Sequence, residues 1–66
     1  MSRRERAVLE RIGKGYNTEE IAAHMALRPD TVRRYLSEAY QKIGVRDRAQ
    51  AVLWCCFHGL VTQREL

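Results

Sequence analysis

The sequence predicts an all-α fold, a four-helix bundle that contains a helix-turn-helix. Its apolar residues recur at helical spacing, and cap and stop residues divide the chain into four segments. No segment shows the alternating pattern of a strand. The 66 residues form one domain, 1–66. A chain of this size hides only about 60% of its unfolded surface, which favours a stabilising partner.

Helix 1 is predicted over residues 3–14. Ser2 is followed three positions later by Glu5, which is the spacing of a capping box. Gly15 provides the stop, because glycine tolerates the left-handed conformation at a helix end. The stripe that this helix would bury consists of Val8, Leu9 and Ile12.

Helix 2 is predicted over residues 18–26. Asn17 and Glu20 repeat the capping-box spacing. The helix is short, and a tight turn around Leu27 and Arg28 connects it to the next one. Its apolar face consists of Ile21, Ala22 and Met25.

Helix 3 is predicted over residues 29–43. Pro29 suits the first helical position, where its missing N–H is not needed, and Asp30 is favourable at the positive end of the helix dipole. Gly44 ends the helix. The apolar positions follow a 3.6-residue period and are Val32, Leu36, Ala39, Tyr40 and Ile43.

Helix 4 is predicted over residues 47–58, before Gly59, and is apolar nearly all round. A terminal helix in so small a domain cannot be buried on every side, so something outside the chain should cover the excess face.

The exposed face of helix 3 carries two adjacent arginines. A short helix, a tight turn and a longer helix with polar residues at its start are typical of a helix-turn-helix that places its second helix in the major groove. Arginine can bond guanine O6 and N7 together, whereas Gln41, further along, is expected to reach the DNA backbone. The alternative is an ordinary solvated helix face. The outward positions are Arg33, Arg34, Ser37 and Gln41.

Several segments together resemble the LuxR/GerE-type helix-turn-helix of bacterial transcription regulators. Residues 1–5, MSRRE, look like the family's L-T-x-R-E start. VLERIGKGYNTEEIA (8–22) resembles its first two helices, and DTVRRYLSEAYQKIGVRDRAQAV (30–52) resembles its recognition helix and the start of helix 4. HGLV (58–61) is similar to its usual ending. The order and spacing make the resemblance specific.

The resemblance implies a module that binds double-stranded DNA and forms a homodimer through its fourth helix. By position, it implies base contacts from Arg33, Arg34 and Ser37. It also implies phosphate contacts from Thr31, Lys42 and Arg46, which would hold the domain on DNA without reading sequence.

Three residues depart from the family pattern. Arg28 stands where Ser or Thr usually caps helix 3, so about 1 kcal/mol of capping energy is lost, although arginine can gain a phosphate contact. Glu19 stands where the family often has lysine, which removes a phosphate contact and adds repulsion if this position faces DNA. Tyr35 replaces the common histidine.

Helix 4 carries a second apolar stripe beside its core positions. Core positions by resemblance are Ala51, Val52, Cys55 and Leu60. We favour a dimer interface for the second stripe, because exposed aromatics are typical interface anchors. The alternatives are that it closes the back of the core or packs on another domain of a longer parent protein. The stripe consists of Gln50, Leu53, Trp54 and Phe57.

The two adjacent cysteines, Cys55 and Cys56, are poor disulfide partners for each other and are expected to be reduced thiols, at least one of them in the core. Together with His58 and His24 they offer only a weak metal pattern, so no metal or cofactor is expected. A thiol redox switch is equally weakly supported. No apolar run reaches the length of a membrane span. The reduced thiols indicate a cytosolic protein, and the family resemblance implies a bacterial cytoplasmic, nucleoid-associated location.

The charge of the chain is compatible with nucleic-acid binding but does not decide the function. The net charge is +4, with ten arginines against two lysines, which suits a polyanion but also simple solubility. We expect a bacterial transcription regulator or its output domain, with RNA polymerase as a further candidate partner. The alternative is a protein-interaction module that has lost DNA binding and pairs through helix 4. No nucleophile–base pair or phosphate-cradling loop suggests an enzyme.

Overall fold

The computed structural model describes residues 1–59, and within that range it contains four helices and no strand. The all-α fold class is therefore confirmed. The helix ends agree with the predicted ends to within one residue. Leu60, predicted to lie in the core, and Val61, in the family ending, fall outside the described residues. The helices are α1 Arg3–Gly13, α2 Thr18–Met25, α3 Pro29–Ile43 and α4 Arg48–Phe57.

Both predicted capping boxes are present. The Glu5 amide donates to Ser2 Oγ at 3.1 Å, and the Ser2 amide donates to Glu5 Oε1 at 2.9 Å. The Asn17–Glu20 box has the same reciprocal pair of bonds, at 2.8 and 2.9 Å. Each box satisfies backbone donors that a helix N-terminus leaves without intrahelical partners, which fixes where α1 and α2 begin.

The other two helices begin differently. Arg28 makes no side-chain cap bond to α3, as the sequence predicts, and Pro29 occupies the first helical position. Asp47 lies just outside α4 and caps it, its Oδ1 accepting from the Gln50 amide at 2.9 Å. The predicted start of helix 4 at residue 47 is thus one residue early, because that residue is the cap.

The core forms where α1 packs against both α3 and α4, and α2 packs on α3. Cys55 belongs to this core, and its thiol donates to the Leu9 carbonyl at 3.4 Å. Burial raises the pKa of Cys55, which keeps its thiol protonated, whereas Cys56 is exposed. The fully enclosed apolar residues include Val8, Leu9, Ile12, Ile21, Val32, Ala39, Ala51 and Cys55.

The turn between α2 and α3 contains a left-handed residue that is not glycine. Ala26 has φ 56° and ψ 43°, and it is the only non-glycine residue with positive φ among residues 1–59. This conformation allows the Leu27 amide to donate to the Ala22 carbonyl at 2.9 Å and close the helix end. At the end of α3, the equivalent conformation falls on Gly44, where it carries no Cβ penalty.

An ion pair between a half-exposed lysine and a buried glutamate connects the end of α3 to the start of α1. Glu5 is almost fully buried, and its Oε1 accepts from Lys42 Nζ at 2.8 Å. The bond from Lys42, together with the backbone bond from Ser2, lowers the pKa of Glu5 to about 2. The carboxylate therefore stays charged and both caps α1 and holds α3 against it.

Candidate nucleic-acid interface

The helix-turn-helix consists of α2, the turn at residues 26–28, and α3. Val32, Leu36 and Ala39 face the core and fix the rotation of α3 about its axis. Because these positions share one face, the opposite face of α3 points away from the protein. The predicted base-facing side chains Arg33, Arg34 and Ser37 all lie on this exposed face.

Arg33 is hydrogen-bonded to one carboxylate and lies near a second. Its Nη1 donates to Asp30 Oδ1 at 2.6 Å, one helical turn earlier. Its Nη2 lies 3.9 Å from Glu19 Oε2, which belongs to α2. The arginine side chain is still 56% exposed, so its guanidinium remains open to solvent. This ion-pair group was not among the features predicted from the sequence, although the i, i+3 spacing of Asp30 and Arg33 is the local signal of such a pair.

Arg34 has a different environment. Its guanidinium carbon lies 5.6 Å from the centre of the Tyr35 ring, within the range of a cation–π contact. Tyr35 is half-buried and packs against the core cluster. The aromatic ring therefore supports Arg34 from the side without neutralising its charge.

The residues predicted to contact the DNA phosphate backbone are distributed along α3 and beyond both of its ends. Arg28 is exposed just before α3, Thr31 is half-buried in its first turn, and Gln41 is exposed near its C-terminus. Arg46 is exposed after the helix. Lys42 is about half exposed but already paired with Glu5, so a phosphate contact by Lys42 has to share its ammonium with that carboxylate.

The second stripe of α4 divides into two parts. Leu53 and Phe57 are 58% and 84% exposed. Trp54 is half-buried, packs against the core and stacks on the His58 ring with centroids 4.1 Å apart. Gln50 is exposed, and its Oε1 accepts from the Arg46 amide at 2.7 Å, which fastens the loop to α4. Trp54 therefore helps to close the core, and the free apolar surface consists mainly of Leu53 and Phe57.

Within residues 1–59, no three His, Cys, Asp or Glu side chains converge as a metal site would require. None of the described helices combines the length and the hydropathy that crossing a bilayer demands.

The model of the luxR family of bacterial regulatory proteins matches residues 1–55, which cover all of α1, α2 and α3 and most of α4. This chain belongs to the luxR family. The matched luxR-family segment includes the helix-turn-helix and every outward-facing residue of α3 described above, so the predicted resemblance is confirmed.

Individual luxR-family relatives carry the same segment. The chain is 47% identical over 53 residues to a probable HTH-type transcriptional regulator, GfsR, of Streptomyces halstedii, covering 80% of this chain and 22% of that protein. It is 46% identical over 52 residues to a probable transcriptional regulatory protein, NarL, of Mycobacterium tuberculosis, covering 79% and 24%.

The spore germination protein GerE of Bacillus subtilis is 42% identical over 53 residues, covering 80% of this chain and 72% of that protein. The chain thus spans less than a quarter of the length of the first two relatives and most of the third.

Proposed function

We propose that this luxR-family domain binds double-stranded DNA with sequence preference and acts in bacterial transcription regulation, as a regulator or as its output domain. The observation that carries the proposal is the outward face of α3, where Arg33 and Arg34 occupy the early turns of the second helix of a helix-turn-helix. In such motifs, these early turns contact base edges in the major groove.

The two arginines supply the base reading. Each guanidinium can donate two parallel bonds to guanine O6 and N7, and each such pair contributes about 1–3 kcal/mol of discrimination against other bases. Ser37 lies one turn after Arg33 on the same exposed face and is short enough to meet a base edge directly.

Contacts to the DNA phosphate backbone supply most of the affinity for DNA. Arg28 and Arg46 lie beyond opposite ends of α3, and Thr31, Gln41 and Lys42 lie between them, so this set can follow a phosphate strand beside the groove. Contacts of this kind fix the orientation of the helix on the duplex without reading sequence.

The proposed complex contains two copies of the domain, paired through α4. Leu53 and Phe57 present apolar surface that the described chain does not cover, and Gln50 and Trp54 border it. Two copies related by a twofold axis would read two half-sites of a palindromic operator. RNA polymerase is a further proposed partner, and the bacterial cytoplasm is the proposed location.

Selection of bound duplexes from a random pool tests the proposal. We expect a preferred sequence to emerge, and Arg33→Ala and Arg34→Ala should each weaken binding to it by about 1–3 kcal/mol and relax the preference at one base pair. Arg6→Ala is the matched control, because it removes the same charge from an exposed position of α1. If both α3 variants bind every duplex as the parent does, the assignment of these residues is wrong.

The second candidate function is a protein-interaction module without DNA binding. The carboxylates of Glu19 and Asp30 favour it, because they bring negative charge to the face that would meet phosphates. Salt separates the two functions. DNA affinity should fall steeply between 50 and 200 mM salt, by about a thousandfold for roughly six phosphate contacts, whereas apolar pairing should not weaken.

A further inference from the structure

The carboxylates around Arg33 lie on the surface that would face DNA. Asp30 and Glu19 come from different helices, and both reach the same guanidinium. Both carboxylates are strongly exposed, with side-chain exposures of 94% and 70%, so they are not required to satisfy a buried charge. One arginine against two carboxylates leaves one excess negative charge in the place where a polyanion would dock.

We propose that Asp30 and Glu19 act as a specificity clamp on Arg33. The clamp directs the guanidinium towards a base edge and withholds its charge from phosphates. The inference rests on the proposed DNA-binding function and assigns a role in base selectivity to two residues that touch Arg33 and need not touch the bases themselves.

The geometry supports the directing role. Arg33 has five N–H donors on a planar group, and the two carboxylates lie near Nη1 and Nη2. A guanidinium that is hydrogen-bonded to Asp30 and attracted by Glu19 loses less rotational freedom when it bonds guanine. The tighter contact, 2.6 Å to Asp30, comes from the same helix and so moves with Arg33 as a unit.

The charge supports the withholding role. On a random duplex, a phosphate that approached Arg33 would be repelled by the two nearby carboxylates, because all three groups carry negative charge. At the preferred site, neutral guanine acceptors can bond the guanidinium N–H groups that the carboxylates leave free, without this repulsion. The clamp therefore weakens non-specific binding more than specific binding.

Glu19→Gln tests this role, because it removes the charge from the α2 side of the clamp and leaves Arg33 and Asp30 in place. Glu20→Gln is the matched control. It removes the same charge from the neighbouring exposed position, and glutamine preserves the capping box with Asn17. The dissociation constants of wild type and both variants are measured at one salt concentration. Two probes are used, the duplex recovered by selection and a scrambled duplex of equal composition.

We expect Glu19→Gln to tighten binding to the scrambled duplex by about threefold, the size of one charge interaction across about 6 Å of water. Binding to the selected duplex should change less, so the specificity ratio falls. Glu20→Gln should leave that ratio unchanged. In an Arg33→Ala background, Glu19→Gln should no longer change the ratio, because its effect acts through the guanidinium.

Three outcomes would overturn the clamp and leave the proposed function intact. The specificity ratio could stay unchanged in Glu19→Gln, or it could fall equally in Glu20→Gln. It could also fall by the same factor when Glu19→Gln is made in the Arg33→Ala background. If wild-type protein prefers no duplex over another, the proposed function itself fails. The wild-type measurement therefore distinguishes failure of the clamp proposal from failure of the proposed DNA-binding function.

Discussion

Neighbouring arginines on α3 are held by opposite kinds of partner. Arg33 pairs with carboxylates, whereas Arg34 lies against the Tyr35 ring. An aromatic face leaves the arginine charge available, and a carboxylate screens it. We therefore expect Arg34 to contribute more than Arg33 to binding on any duplex, and Arg33 to contribute more to sequence preference.

Ala26, in the turn of the helix-turn-helix, has a left-handed backbone conformation that raises the free energy of the folded domain. Its Cβ crowds the backbone at positive φ, a penalty that glycine avoids. Since the turn is closed by the Leu27 amide, the conformation is imposed by the geometry that α2 and α3 require.

Ala26→Gly should stabilise the domain by about 0.5–1 kcal/mol, because it removes this penalty. Urea denaturation of both proteins measures the change. Ala23→Gly is the control, since Ala23 is exposed inside α2, where glycine costs about 1 kcal/mol. A loss of stability at both positions would show that Ala26 is not strained.

At the scale of elements, α1 and α3 are joined by the Glu5–Lys42 pair as well as by apolar packing. The ion pair lies where α1 begins and α3 ends, so it fixes the position of α3 relative to the rest of the bundle. Glu5 also caps α1, so one carboxylate serves two elements.

This arrangement predicts a pH-dependent stability. The pKa of Glu5 is lowered to about 2 from its usual 4.5. The stabilisation is therefore complete above about pH 4.5 and is lost as the pH falls towards 2. Glu5→Gln keeps a capping residue but removes the charge, and it should lower Tm by a few degrees near neutral pH.

Thermal melts from pH 7 to pH 2 check this prediction. The difference in Tm between wild type and Glu5→Gln should shrink as the pH falls. Glu20→Gln alters the other, exposed capping box and should show a smaller difference throughout. A difference for Glu5→Gln that is constant with pH would contradict the ionic role of Glu5.

At the scale of the whole molecule, the core is small, and residues 1–59 leave apolar side chains of α4 exposed. Phe57 is the most exposed of the large apolar residues described. Burial of one such side chain contributes about 1.5–3 kcal/mol, and a twofold interface would bury it twice.

Phe57→Glu should weaken dimerisation by at least about tenfold without unfolding the monomer, because the side chain contributes little to the core. It is a cleaner change than Trp54→Glu, which would also disturb the core packing. Sedimentation equilibrium measures the mass. Ala23→Glu, also exposed in the second half of a helix, is the charge-matched control, and an unchanged mass for Phe57→Glu would exclude the α4 dimer.

The sequence by itself determined the four helices, their limits and the buried stripes. These features depend on local chemistry: capping boxes at Ser2 and Asn17, proline at position 29, glycine at 44 and a 3.6-residue apolar period. The outward face of α3 followed from the same period, since the buried residues leave only one direction for Arg33 and Arg34.

Only the tertiary structure decided which side chains meet across helices. Glu5 and Lys42 are 37 residues apart, and Glu19 reaches Arg33 from another helix, so no local pattern could pair them. The partial burial of Trp54 also has no local signal, because it depends on how α4 lies on the core. The left-handed conformation of Ala26 likewise depends on the approach of α2 and α3. Local propensity specifies elements, but the contacts between them depend on packing in three dimensions.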